Sequence, residues 1–327
     1  MLTRRDALGS LLAASATPMF GASAFAQDAY PSQTIKSICS FTAGSGADIV
    51  IRYYSTKLQE ICGKPVIVEN KVGAAGNIGT EFVARSKPDG YTIYICPATN
   101  VLASAPYFFK QLNFDPVEDF EHVTTLHKAP RLLVVAADSP YTSAADLAAQ
   151  LKPKGNAVGY GAISNSAMVC CELFKAQFGL ETAEVRFRDF PSALREMSTG
   201  AVAYTYLDAP QALGHMSAGR IRALATTSSE RTQALPASIP TAAEAGIATT
   251  DIMFWWSVQV AKGTPRPIVD KLGAWFHAIL ALDETKRYLA QSGSVAFPGN
   301  ADATRALLKK EVAAWARYTK IAKVEPQ

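Results

Sequence analysis

Twice along this chain a short apolar run of strand type passes through a loop of small residues into a helical pattern. Strands that alternate with helices in this way imply an α/β chain built on a parallel sheet. The first instance is a strand at 35–41, the loop Ser40-Phe41-Thr42-Ala43-Gly44-Ser45-Gly46-Ala47-Asp48, and a helix at 48–61 with Ile51, Tyr54, Leu58 and Ile61 on one face. Gly63 stops that helix. A strand at 65–69, a helix at 77–86, the turn Pro88-Asp89-Gly90 and a strand at 91–96 complete the series. The pattern restarts with a strand at 131–136, a helix at 143–151, a strand at 157–161 and a helix at 166–178. The second small-residue loop, Gly159-Tyr160-Gly161-Ala162-Ile163-Ser164-Asn165-Ser166, lies between those last two. Strands at 183–187, 203–207 and 222–226 then alternate with helices at 192–199 and 210–218. Thr241-Ala242-Ala243-Glu244 is a capping box that predicts one more short helix. From Met253 come a strand, a helix at 267–282, a short helix near Tyr288 and a last helix at 301–321, a tail expected to pack back on the first half.

A single hydrophobic core stops growing near roughly 250–300 residues. The 327 residues, 49% of them hydrophobic, therefore predict two domains that share a cleft. The restart places residues 27–126 and 251–327 in one domain and 127–250 in the other, with crossings near 125–130 and 249–251 that would act as a hinge. The net charge is +4, or +3 once Arg4, Arg5 and Asp6 are set aside, too little to argue for nucleic acid. Residues 1–26 carry a charged start, an apolar stretch at 8–20 and the end Ala24-Phe25-Ala26, the pattern of a cleaved export signal. The Arg pair resembles a twin-arginine signal, and an ordinary secretory signal also accommodates one. No cysteine follows the cleavage site, so the mature chain is expected to diffuse freely in a periplasm. Its five cysteines show no C-x-x-C spacing and read as small buried hydrophobes.

Loops of small residues leave backbone N–H groups free at a helix N-terminus, which favours an anion. Ligands of open α/β sheets sit at the carboxyl ends of strands, where these loops lie. A tight turn that needs glycine for geometry alone is the other reading. Gly44-Ser45-Gly46 is followed by Ile49 where a dinucleotide fingerprint has glycine, and the turn Gly73-Ala74-Ala75-Gly76-Asn77-Ile78-Gly79-Thr80 lacks the lysine of a P-loop. No G-x-S-x-G or H-E-x-x-H occurs among residues that include only four histidines, so a binding protein without cofactor or metal is the first reading. The alternative is a secreted α/β hydrolase or transferase.

The ordered motifs Tyr30-Pro31, Phe41 to Asp48, Val66-Ile67-Val68-Glu69-Asn70, Gly73 to Gly79 and Lys87-Pro88-Asp89-Gly90-Tyr91-Thr92 continue with Asp115-Pro116-Val117-Glu118-Asp119-Phe120. Gly219 to Ala225, Pro240 to Gly246 and Gly263-Thr264-Pro265 follow. Together they resemble the Bug family, the extracytoplasmic solute receptors of tripartite tricarboxylate transporters. The resemblance implies a two-domain periplasmic binding protein, type II-like, that closes over a small carboxylate. It also implies membrane permease subunits as partners, with the receptor itself a monomer. Carried over to this sequence, it implies that Phe41, Thr42, Ala43, Gly44, Gly46, Asp48, Asn77, Ile78, Gly79 and Thr80 hold one carboxylate. Ser164, Asn165, Ser166, Asp208 and Trp255 would form the opposite lip.

Three departures fall in those lips. Ser45 stands where the family has a third glycine, Phe187-Arg188-Asp189 where it has an aromatic-Lys-Gly run, and Asp208-Ala209 where it has Asp-Asn. An Arg188 fork would bind a carboxylate through two parallel hydrogen bonds and so favour a dicarboxylate. With Phe187, Tyr206 and Trp255 as flat walls, an aromatic diacid of the terephthalate type is one specific expectation. The competing reading pairs Arg188 with Asp189 or Glu184 on the surface.

Overall fold

The first series of alternating elements forms as the periodicity predicts: β1 (Ile35–Cys39), α1 (Gly46–Cys62), β2 (Val66–Asn70), α2 (Asn77–Ala84) and β3 (Thr92–Cys96). In the computed structural model, residues 30–248 and 252–326 are described. The expected export signal and the expected crossing at 249–251 lie outside the described residues. A helical turn at Thr99–Ala103 and the short α3 (Ala105–Phe108) lead to β4 (Phe120–Ala136), a strand of 17 residues. The second series is α4 (Ala144–Leu151), β5 (Gly159–Ala162), α5 (Asn165–Phe178), β6 (Ala183–Arg186), α6 (Phe190–Thr199), β7 (Val202–Asp208), α7 (Ala209–Ser217) and β8 (Ile221–Thr226). The tail supplies β9 (Met253–Ala261), α8 (Arg266–Ala281), α9 (Asp283–Gln291), β10 (Val295–Ala296) and α10 (Ala301–Ile321).

The strands run in the order β2-β1-β3-β9-β4-β7-β5-β6, with β10 and β8 on β4. Each half has a parallel set, β2-β1-β3 in one and β7-β5-β6 in the other. The sheet is mixed all the same, because β9 inserts antiparallel between β3 and β4. The register changes partner along β4. Phe120 to Pro130 pair with β9, and Arg131 to Val134 pair with β7.

Tyr54 and Leu58 of α1 pack with Leu272 and Phe276 of α8 over Ile35, Ile93 and Val258, one face of the first half. On the other face α10 brings Leu308 and Trp315 against Tyr94 and Leu102, and the same cluster continues to Cys170 and Phe174 of α5. The tail thus touches both halves, where the sequence reading placed it on the first alone. Four of the five cysteines are buried and all five are free thiols. The capping box closes as drawn, with the Thr241 N–H donating to Glu244 Oε2 at 2.9 Å and the Glu244 N–H to Thr241 Oγ1 at 3.2 Å. No helix follows, because Gly246 at φ 67° ends the turn at once. Among the described residues no helix is long and apolar enough to cross a membrane.

Candidate functional site

β1 delivers the chain into the first loop, and Asp48 fixes the loop's shape. Its carboxylate is 1% exposed. Oδ2 accepts from the Gly44 N–H at 2.9 Å and Arg52 Nε at 2.7 Å, and Oδ1 accepts from Asn70 Nδ2 at 2.8 Å. The hydrogen bond from Arg52 holds this carboxyl well below the usual carboxylate range. Ser45 is the N-cap of α1, its Oγ accepting the Asp48 N–H at 3.3 Å, and its own N–H donates to Thr42 O at 3.1 Å. The Gly44 and Ser45 amides are therefore engaged within the loop. Those of Gly46 and Ala47 begin the helix, where N–H groups have no intrahelical acceptor. Thr42, Ala43, Gly44 and Gly46 are exposed, Phe41 and Ser45 half-buried.

The second turn holds four consecutive residues at positive φ: Gly73 at 141°, Ala74 at 45°, Ala75 at 53° and Gly76 at 105°. Non-glycine residues held there cost of order 1–3 kcal/mol each and persist where the surroundings over-determine them. Within the turn the Gly76 N–H donates to Gly73 O at 2.9 Å and the Asn77 N–H to Ala74 O, which leaves the amides of Ile78 and Gly79 as the ones without an intrahelical acceptor. Helix α2 starts directly after it with no side-chain cap. The Asn77 Oδ1 is buried without a partner, and Ile78 is exposed. Thr80 is buried and donates from Oγ1 to Gly76 O at 3.0 Å. Its hydrogen thus used, the Tyr94 hydroxyl must donate to Thr80 Oγ1 at 2.8 Å, and Ser40 Oγ to Tyr94 at 2.8 Å. This chain of hydroxyls ties the first loop to the second turn.

In the second half, Ser164 caps α5 by accepting the Ala167 N–H at 3.2 Å, and Asn165 begins that helix. Ser166 Oγ donates to Asn100 Oδ1 at 3.3 Å, a contact between the two halves. Thr99 donates to Met253 O at 3.0 Å and accepts the Trp255 N–H at 3.1 Å. Trp255 is 2% exposed, with Nε1 unpartnered. Its ring lies in the core cluster that also holds Tyr206. Asp208 ends β7, and its carboxylate lies 3.0 Å from Nη1 of Arg131, a residue buried at the point where β4 changes partners. Arg188 is exposed in the turn between β6 and α6 and forms no hydrogen bond or ion pair with another candidate among the described residues. Glu184 pairs with Arg186 instead, at 2.7 Å, and Asp189 caps α6 by accepting the Ser192 N–H at 2.8 Å. A cavity of about 510 Å³ lined by Cys170, Phe174, Tyr206, Thr227, Ile247 and Arg317 lies away from the two first-half loops.

The sequence reading missed Asn100 and Arg131. Asn100 carries no motif. Arg131 left one signal, a charged residue heading the apolar run Leu132-Leu133-Val134-Val135.

The sequence model of the family described as "Tripartite tricarboxylate transporter family receptor" matches residues 50–323. Protein BugT of Bordetella pertussis is 30% identical over 291 residues, covering 88% of this chain and 89% of that one. The solved structure described as R. palustris Rpa4515 with adipate is 30% identical with a TM-score of 0.80, covering 91% of this chain and 100% of that chain. The periplasmic binding protein BugD is 28% identical with a TM-score of 0.77, covering 91% and 100%. The fold is accordingly that of the two-domain periplasmic binding proteins. By sequence and by fold, this chain belongs to the tripartite tricarboxylate transporter receptors, the Bug family of solute-binding proteins.

Proposed function

We propose that the protein is a periplasmic receptor, not an enzyme, that captures a small dicarboxylate and presents it to membrane permease subunits of a tripartite tricarboxylate transporter. The observation that carries this reading is the pair of amide-bearing turns, one held by Asp48 and the other strained at Ala74 and Ala75, both ending in helix N-termini. One carboxylate is held at Thr42 to Gly46 and Asn77 to Thr80 by backbone amides without a cationic side chain. The lip of Ser164, Asn165, Ser166, Arg188, Asp208 and Trp255 faces the ligand's other end. A relative solved with adipate supports a diacid. The aromatic side chains near that lip keep a terephthalate-like diacid among the ligands to be tried. The moving bodies are 27–126 with 251–327 and 127–250, and the receptor works as a monomer exported by its first 26 residues.

Thermal unfolding with linear diacids of four to eight carbons and with terephthalate tests the reading. A ligand at a hundred times its Kd stabilises by about 2.7 kcal/mol. The same ligand should reduce the radius of gyration in scattering, because contact with both lips favours the closed form. Turnover of an ester or transfer substrate with no stabilisation by any carboxylate would overturn it in favour of a hydrolase or transferase.

A further inference from the structure

Arg131 is the largest charged side chain in the interior, 2% exposed. Among the described residues its guanidinium has one ionic contact, Nη1 to Asp208 Oδ1 at 3.0 Å, and it packs 5.7 Å from the centre of the Phe254 ring. The pairing is poor. Nε of Arg131 is buried with no hydrogen-bond partner, and Asp208 Oδ1, despite its distance, accepts no well-directed hydrogen bond. A buried guanidinium with a bare donor carries a desolvation penalty that a bidentate acceptor would remove.

Asp208 is irregular in a second, independent way. It is the N-cap residue of α7, with the extended backbone of one (φ −64°, ψ 142°), yet its side chain caps nothing. An aspartate in that position ordinarily accepts the N–H two or three residues on. Pro210 has no N–H, so the Gln211 amide is the donor left waiting. The carboxylate has turned away from its own helix to serve Arg131. Both groups lie at the carboxyl end of β7, the same end of the second parallel set at which Ser164 and Ser166 open α5.

We infer that Arg131 forms a second anion subsite, which takes the distal carboxylate of a diacid while the uncapped start of α7 takes Asp208 in exchange. This rests on the carboxylate reading above and assigns the diacid preference to Arg131 in place of the exposed Arg188. Without ligand, Asp208 serves as the internal counter-ion. When the diacid arrives, its distal carboxylate takes the guanidinium fork through Nε and one Nη, and Asp208 rotates to cap α7 at Gln211. Every group then has the partner that its chemistry favours, and net charge at the site changes by the ligand's alone. A monoacid of equal length leaves Arg131 with Asp208.

Calorimetry with adipate against hexanoate and terephthalate against benzoate tests this in the full mature chain and in Arg131→Met, Asp208→Asn and Arg188→Ala variants. The unmodified protein should prefer the diacid. Arg131→Met should weaken the diacid by at least about thirtyfold and leave the monoacid nearly unchanged. Asp208→Asn keeps a capping side chain but removes the competing charge, so it should tighten the diacid. Arg188→Ala should cost the diacid clearly less than Arg131→Met does, because an exposed guanidinium contributes little to a carboxylate contact. Equal losses for diacid and monoacid in Arg131→Met would make Arg131 structural only. Abolished diacid binding in Asp208→Asn, or the large loss in Arg188→Ala, would also overturn the assignment. Equal binding of diacid and monoacid by the unmodified protein would remove the second subsite while leaving the carboxylate reading intact. Failure to bind any of the four acids would end both.

Discussion

Replacement of Gly79 by alanine is expected to destabilise the protein by about 2 kcal/mol and to abolish carboxylate binding. A Cβ there would stand 2.7 Å from Ser40 Cβ, 3.0 Å from Ser40 Cα and 3.0 Å from Lys71 O. None of these is the end of a flexible side chain, so α2 must move off β1. Overpacking of this kind costs about 3 kcal/mol, and the better helix propensity of alanine returns about 1. The displaced element carries the amides of Ile78 and Gly79, and Ser40 is the far end of the hydroxyl chain that fixes the first loop. Gly214→Ala is the control. It lies in the middle of α7 with nothing within 4 Å of the added methyl, so it should be neutral or stabilising by up to about 1 kcal/mol. Urea unfolding separates them. Equal midpoints for the two variants would show that the close approach of α2 to β1 is not rigid.

The second large effect is a loss of stability in mild acid. His127 is buried between the rings of Tyr54 and Trp256, with Nδ1 2.9 Å from the Tyr54 hydroxyl. Burial disfavours its charged form and pushes its pKa down to about 3. The unfolded chain, at about 6.5, binds the proton first. The stabilising difference is therefore complete above about pH 6.5 and is lost progressively as pH falls toward 3. By linkage this removes about 2 kcal/mol between pH 7.5 and pH 5. Buried His122 shifts in the same direction for the same reason and adds to the loss. Asp48, whose carboxyl is held low by Arg52, contributes only below the ordinary carboxylate pKa, so the histidines act first. His127→Gln keeps an acceptor for Tyr54 but has no proton to gain. Its stability should fall by clearly less than that of the unmodified protein across pH 7.5 to 5; an equal fall would remove His127 as the cause.

How much of this was legible follows from where each residue's partners lie. Helix α10 is bounded at 301 and 321 as the periodicity predicts, because Asn300 caps it locally, accepting the Ala303 N–H at 2.8 Å, and no glycine or proline interrupts it. Strand β4 was read only in its last six residues. His122, Thr124, Thr125, His127 and Pro130 look like a polar crossing, yet distant partners satisfy Thr124, Thr125 and His127. Thr124 donates to Gly299 O at 2.7 Å, Thr125 donates to Phe297 O, and His127 meets Tyr54. Those acceptors lie far away in sequence, so no local pattern shows that the strand continues. The insertion of β9 is hidden for the same reason, since an alternation of strands and helices does not record which strand a late segment joins. At the site, the two first-half turns were visible through their small residues, while the engagement of the Gly44 amide by Asp48 was not. Arg131 could be recognised as a buried cation only after β4 and β7 had been laid side by side, because Asp208 is its sole ionic partner among the described residues.

The buried cysteines give folding itself a chemical role. Burial pushes the Cys170 thiol up to about 12 and raises those of Cys39, Cys96 and Cys171, so each is held as the unreactive protonated form. An oxidant that meets the finished fold finds little thiolate to attack at those four positions. The same chain unfolded displays five ordinary thiols, an odd number with no native pairing to fall into. In an oxidising compartment, the fate of each molecule is then a race between closing the core and forming a wrong disulfide. A molecule that crosses the membrane already folded never enters that race.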